Sequence, residues 1–329
     1  MKSKPSKRVK TAKLMHAKEA VNFLKNIKGK VAIFFDGDAD GTCSAAIILA
    51  YLRGKNVKVE ARTGERDIVT FGRFAAVEAD HYIFLDYAGL DEAPERLSGF
   101  KGKSVLIVDH HPINRDLNKE GYIFINPRFT DPNLYYCTTH LVYDLTKTAG
   151  LKGFEWLMHI GAIGDHEIEG TEDEREGTEL VYAVQATKKD DLEKLARFLS
   201  QCKKLDDFLY KDKYISLKET VQKEITKQIS LFEISSSGDP VFFELKSGLS
   251  ITGILSTKLS DLYPKKSVII YSKKRDGWGV SGRSLKFDMG KAFKEAAKEL
   301  GGGGGHKEAA GAFVTDMEQF KSRLMKVLK

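Results

Sequence analysis

The run Val31-Ala-Ile-Phe-Phe35-Asp36-Gly-Asp38-Ala-Asp40-Gly41 decides how this chain is read. Five consecutive apolar residues, β-branched and aromatic among them, describe a strand buried on both faces, as in a parallel sheet. Three carboxylates at alternate positions follow it at once, and Ala45–Leu52 then reads as a buried helix. Working outward, the pattern recurs. His81-Tyr-Ile-Phe-Leu85 runs into Asp86, and Ser104-Val-Leu-Ile-Val108 runs into Asp109-His110-His111. Tyr122–Ile125 reads as a further strand. Upstream, Leu14, Ala17, Val21, Leu24 and Ile27 mark one face of a first helix. Strands alternating with helices predict an α/β fold, with a mostly parallel sheet flanked by helices.

A fourth segment, Ile160-Gly-Ala-Ile163, reads as another strand end and leads to Gly164-Asp165-His166-Glu167. Ligands of open parallel sheets bind outside the carboxyl ends of the strands, so acids and histidines from separate segments converge there. Oxygen and imidazole donors suit Mn²⁺ or Mg²⁺. Each piece alone has a plainer meaning. The Asp-Gly-Asp segment could be a turn, though not a calcium-binding EF-hand, because no Glu stands twelfth from Asp36 or Asp38. Asp86 alone could be a helix cap. Together the four predict a metal site, and His16, His81, His140 and His159 are left as surface or core residues.

Charge divides the chain. Residues 1–30 carry ten Lys/Arg against one acid, whereas residues 31–185 carry fifteen against twenty-six. The last third is again basic. An acidic body suits metal ions, and basic flanks suit a polyanion. We expect a basic flexible arm over 1–13, a catalytic domain over 14–185, a helical connector over 186–232 and a smaller α/β domain over 233–329. The last has strand-like runs at Pro240–Leu245, Ser267–Tyr271 and Gly279–Arg283, with two helices flanking Gly301–Gly305. No apolar run reaches the roughly 18 residues of a membrane span. Three scattered cysteines, Cys43, Cys137 and Cys202, argue against a disulfide scaffold or zinc module and fit a reducing, cytoplasmic location.

The series Asp36-Gly-Asp38-Ala-Asp40-Gly41, Asp86, Asp109-His110-His111 and Asp165 resembles the four-motif signature of the DHH phosphoesterases. Gly301-Gly-Gly-Gly-Gly-His306-Lys-Glu-Ala-Ala-Gly311 resembles the glycine-histidine motif of the DHHA1 domain, and Trp278-Gly-Val-Ser-Gly-Arg283-Ser its substrate-binding arginine strand. The resemblance covers residues 30–320, and the short RecJ-like proteins of archaea are the most similar subgroup. It implies two divalent ions, Mn²⁺ preferred with Mg²⁺ as the other candidate. Asp86 would bridge them, and Asp36, Asp38, Asp40, His110 and Asp165 would complete their ligands. His111 would orient a ligand or meet the phosphate, making Asp86, His110 and His111 the catalytic group. Arg283, Gly303, Gly304, Gly305 and His306 would bind substrate.

The implied activity is an exonuclease on single-stranded DNA or RNA, with replication or repair proteins as partners. Nano-RNases and cyclic-dinucleotide phosphodiesterases are the alternative on short substrates. They usually carry a histidine where this chain has Phe34. A catalytically silent replisome scaffold is the third reading, against which the complete set of acids counts. The chain has no length for the additional domains of full bacterial RecJ.

Overall fold

Each of the apolar runs that end in Asp36, Asp86 and Asp109 is a strand. A computed structural model describes residues 14–64, 68–187, 191–235 and 238–328, so the basic arm over 1–13 lies outside the described residues. Helix α1 (Ala17–Asn26) leads to β1 (Gly29–Phe35), α2 (Ala39–Arg53), β2 (Val57–Thr63), α3 (Ile68–Ala75), β3 (His81–Leu85), β4 (Ser104–Val108) and β5 (Ile123–Ile125). The five strands form one parallel sheet in the order β2-β1-β3-β4-β5. Alternate residues point to opposite faces. On one face Phe34, Tyr82 and Phe84 pack with Phe71 and Phe74 of α3 and with Phe100, and the Phe34 and Phe74 rings stack at 4.1 Å. Helix α2 also packs on β1. It is buried almost end to end, so it is apolar all round rather than along one stripe. Strand β2 escapes the sequence reading. It is the sheet's edge, its residues alternate with Lys58, Glu60 and Arg62, and only Ala61 in it is buried.

Helices α4 (Thr138–Thr148), α5 (Glu155–Gly164), α6 (Glu172–Thr187), α7 (Leu192–Leu199) and α8 (Asp206–Leu209) follow. One expectation is corrected here. Ile160–Ile163 is the last part of α5, not a strand, so Asp165 stands at a helix end. Four apolar residues do not distinguish a buried strand from a buried helix. The chain divides into two compact units, Met1–Ile215 and Ser216–Lys329, and α9 (Asp212–Ser235) runs through the division.

The second unit continues with β6 (Val241–Glu244), α10 (Thr252–Leu262), β7 (Val268–Lys274), β8 (Gly277–Arg283), α11 (Met289–Ala297), β9 (Gly301–Gly305), β10 (Ala309–Val314) and α12 (Met317–Val327). Its mixed sheet has the order β6-β7-β8-β10-β9. Only the β6–β7 pair is parallel. Met289, Phe293, Phe320 and Leu324 of α11 and α12 build its core. The five glycines, expected between two helices, follow α11 but form an edge strand paired with β10, which stands between them and α12. Without side chains the run carries no period by which to announce a strand.

Candidate metal centre

Asp36, Asp86 and Asp109 stand level along the carboxyl edge of the parallel sheet because the backbone ladder continues one residue beyond the strands. The Asp36 N–H donates to Leu85 O (3.1 Å), that of Asp86 to Val108 O (3.0 Å), and that of Asp109 to Ile125 O (3.0 Å). Strand order reverses between β1 and β3, which is where an open parallel sheet leaves a crevice for ligands. Asp86 takes a left-handed backbone conformation, φ 66°. Such angles are uncommon for residues with a Cβ and best tolerated by Asp and Asn. The Thr138 hydroxyl donates to Asp86 Oδ1 at 3.0 Å.

The loop from β1 into α2 sets the next two acids. Asp38 caps α2 by accepting from the Gly41 N–H at 2.9 Å. A Cβ on Gly41 would lie 2.3 Å from Asp36 O, so the tight loop requires glycine there. Asp40 is buried in the first turn of α2 and lies across the N-terminus of α4. Its Oδ2 accepts from Thr138 N (2.8 Å) and its Oδ1 from Thr139 N (2.6 Å), with the Thr139 hydroxyl also donating to it. The first N–H groups of a helix have no partner within it, and the helix dipole favours an anion beside them.

His110 Nε2 lies 3.4 Å from both Asp86 Oδ1 and Asp165 Oδ2, and 3.9 Å from Asp40 Oδ2. The His111 ring contacts Asp109 Oδ1 through Nδ1 at 2.9 Å, with Asp86 Oδ1 at 3.7 Å. Asp165 reaches the group because α5 packs closely. A Cβ on Gly161 would meet Thr139 Oγ1 at 2.2 Å, and one on Gly164 would meet Ala39 Cβ at 2.6 Å. The Tyr135 hydroxyl donates to Asp165 Oδ2 at 2.6 Å.

Burial, together with the charges of Asp36 and Asp40, pushes Asp38 up to about 7. Burial and Asp165 push Asp40 up to about 6. Asp86 is raised well above the usual carboxylate range by burial and by Asp40 and Asp38. Burial works against a charged His110, yet Asp165 and Asp40 prevail and raise it. Crowded acids of this kind repel one another unless a cation lies between them. The donor set fits one. Asp36, Asp38 and Asp86 form one group of ligand atoms within 4.8 Å of each other; Asp40, Asp86 and His110 form another; Asp86, Asp109 and His111 form a third. Asp86 belongs to all three, and the mixture of carboxylates with imidazole suits Mg²⁺ or Mn²⁺.

The sequence reading missed Tyr135, Thr138 and Thr139, which hold the acids, and gave Asp109 no role. Threonine at a helix start is an ordinary capping choice, so nothing local marks these two. It also missed a cleft of about 510 Å³ at the end of β2, lined by Arg62, Thr63, Arg73, Glu193 and Arg197.

In the second unit, Arg283 ends β8 opposite Ala309, and its Nη1 donates to Ser281 Oγ (3.2 Å) and Gly282 O (3.0 Å). His306 follows β9, and its N–H donates to Ala309 O at 2.8 Å. The two residues therefore flank Ala309 from either side at one end of the sheet. The glycines between are not a slack linker. A Cβ on Gly303 would lie 2.9 Å from Phe293 O of α11, and one on Gly305 would lie 2.5 Å from Ala309 O, with φ already 146°. Gly304 has φ 158° and open space beside it.

Two family models match this arrangement: the N-terminal domain of the DHH family over residues 30–164 and the DHHA1 domain over residues 246–329. The chain therefore carries an N-terminal domain of the DHH kind followed by a DHHA1 domain. The solved structures it resembles include RecJ of Thermus thermophilus in complex with Mn²⁺, with a TM-score of 0.73 and 17% identity, covering 96% of this chain and 55% of that one. An exonuclease RecJ bound to manganese follows, with a TM-score of 0.66 and 17% identity, covering 98% and 96%. The pGpG-specific phosphodiesterase PggH of Vibrio cholerae has a TM-score of 0.51 and 15% identity, covering 92% and 97%. These likenesses show a shared fold, and the chain spans about half the length of the Thermus protein. No curated protein matches the sequence.

Proposed function

We propose that this protein is a metal-dependent phosphodiesterase of the RecJ-like archaeal kind, an exonuclease that shortens single-stranded DNA or RNA to mononucleotides. The observation that carries this reading is Asp86, common to three overlapping ligand groups at the sheet's carboxyl edge. The manganese named for both RecJ structures supports it. Asp36, Asp38, Asp40, Asp86, His110 and Asp165 would hold two divalent ions, Mn²⁺ in preference to Mg²⁺, with Asp86 shared. A bound pair supplies Lewis acidity at the phosphoryl oxygens and lowers the pKa of water. His111, oriented by Asp109, meets the phosphate. Arg283 and His306 grip a phosphate by charge-assisted hydrogen bonds. Gly303, Gly304 and Gly305 let a backbone come close. The arginine-lined cleft beside β2 offers further room for a polyanion.

No helix among the described residues is long and apolar enough to cross a membrane, and Cys43, Cys137 and Cys202 are free and buried. Free thiols and nucleic acid as substrate fit the cytoplasm and company with replication or repair proteins. Likeness to the pGpG phosphodiesterase, nearly matched in length, favours a second reading on di- or short oligonucleotides. The deciding assay offers end-labelled DNA and RNA strands and cyclic di-adenylate with Mn²⁺. Release of mononucleotides from the strands supports the exonuclease, and cleavage of the small substrates alone moves the assignment to the second reading. Full activity in excess chelator overturns both.

A further inference from the structure

We propose that the buried pair His140–Glu167 is a positioning device for the metal centre, locking the start of α4 to the turn that carries Asp165. The inference rests on the metal reading above. Glu167 is 5% and His140 8% exposed at the side chain, and His140 Nδ1 contacts Glu167 Oε1 at 2.7 Å. The other carboxylate oxygen, Oε2, accepts the Cys137 N–H at 2.9 Å. The His140 ring stacks on Tyr136, with centroids 3.9 Å apart, while its Nε2 is buried without a hydrogen-bond partner. Among the described residues the ring's hydrogen-bonding contact is therefore with Glu167.

A buried pair of this kind is a poor source of stability, because taking both groups out of water offsets their attraction. What it does supply is direction. Residues 135–140 alternate between two sets of partners. Tyr135, Cys137 and His140 bond to Asp165 and Glu167 of the turn after α5. Thr138 and Thr139 bond to Asp40 and Asp86. One short segment thus sets three acids from three different elements. Glu167 anchors it at both ends of the helix entrance, before and after the two threonines. Without that anchor, α4 can turn at its start and carry the threonine donors away from Asp40 and Asp86. Groups that orient metal ligands typically change metal affinity by about 10–100-fold when lost.

Another His–Glu pair provides the control. His159 on α5 contacts Glu174 of α6, which otherwise bonds Thr171, and no metal-site acid is among these contacts. The test titrates the metal-free full-length protein with MnCl2 by calorimetry and follows its metal-free melting. Glu167→Gln and His140→Phe are expected to raise the Mn²⁺ Kd about tenfold. His140→Asn, which restores a donor near Nδ1, should lie closer to wild type, and His159→Phe should match wild type. The double variant Glu167→Gln/His140→Phe should lose no more affinity than the worse single, because the two act as a unit. Wild-type Kd in both single variants overturns the inference, as does lowered metal-free melting with an unchanged Kd. Equal weakening by His159→Phe also overturns it. If Glu167→Gln does not fold, the His140 variants decide by the same criteria. A wild-type chain that takes up no Mn²⁺ overturns the metal centre itself, and this inference with it.

Discussion

The acids after β1, β3 and β4 and the glycines of β9, both given to phosphate under the proposed function, load the fold in opposite ways. The first unit gathers charge where charge is unwelcome. Asp40, Asp86 and His110 are nearly inaccessible, and their repulsion is held by Thr138, Thr139 and the start of α4. The second unit removes side chains. Its glycines are half-exposed or exposed, three of them stand where a Cβ would strike backbone, and Arg283 and His306 stand at the sheet's end. A buried cluster of like charges is built for a cation. Under the proposed function, a bare edge strand lets an anion approach closely. Chemistry should therefore fail when the first region is changed, and binding when the second is.

The sharpest way to break this contrast is Asp86→Asn. Losing the acid shared by all three ligand groups should lower turnover by about a thousandfold or more and reduce bound metal. A variant active to within tenfold would remove Asp86 from the centre. Next come Arg283→Ala and His306→Ala. Each removes a charge-assisted contact worth about 1.5–3 kcal/mol, so KM should rise about 10–100-fold. Metal content measured on the purified variants should stay at the wild-type level, and loss of metal from either would place that residue among the ligands.

The glycine strand separates further by stability. Gly303→Ala forces a Cβ to within 2.9 Å of Phe293 O and should cost about 1–3 kcal/mol in denaturant unfolding. Gly302→Ala meets nothing within 4 Å and should stay within about 0.5 kcal/mol. Equal costs would mean that α11 does not dictate the glycines. For the acid cluster the lever is pH. Asp38 near 7 and Asp40 near 6 stand above their ordinary value of 3.8, so the folded state binds more protons than the unfolded one. These acids therefore erode stability as pH rises from about 4 to about 7. Melting of the metal-free protein should fall across that window, and Mn²⁺ should raise it most above pH 7. A metal-free melting temperature that climbs from pH 5 to pH 7 would contradict the clustering. The smallest effect concerns residues 2–13. Deleting this arm should weaken binding to long strands and flatten its salt dependence by about 0.7 per lost phosphate contact. A dinucleotide should be cleaved as before, and equal effects on both substrates would count against a role for the arm.

Much of the site was legible because it is written in short-range pattern. Buried parallel strands are continuous apolar runs, and the residue after each run stands at the ligand-binding edge. Asp36, Asp86 and Asp109 could therefore be aligned before any contact was known. Asp165 was named for the right neighbourhood from the wrong element, since Ile160–Ile163 belongs to α5. The edge strands β2 and β9 went unread for opposite reasons, one too charged and one without side chains.

The amino-acid sequence by itself determined the α/β alternation and the acids that end its central strands, because a continuous apolar run and a helical period of 3.6 residues are properties of the local chain. Only the tertiary structure decided that Thr138 and Thr139, 98 and 99 residues from Asp40, hold its carboxylate. The same holds for Gly161 and Gly164 letting α5 close on α4 and α2, and for Glu167 and His140 tying that helix entrance in place. Such partners are chosen by packing between elements, and a side chain's local neighbours carry no record of what a distant helix will bring against it.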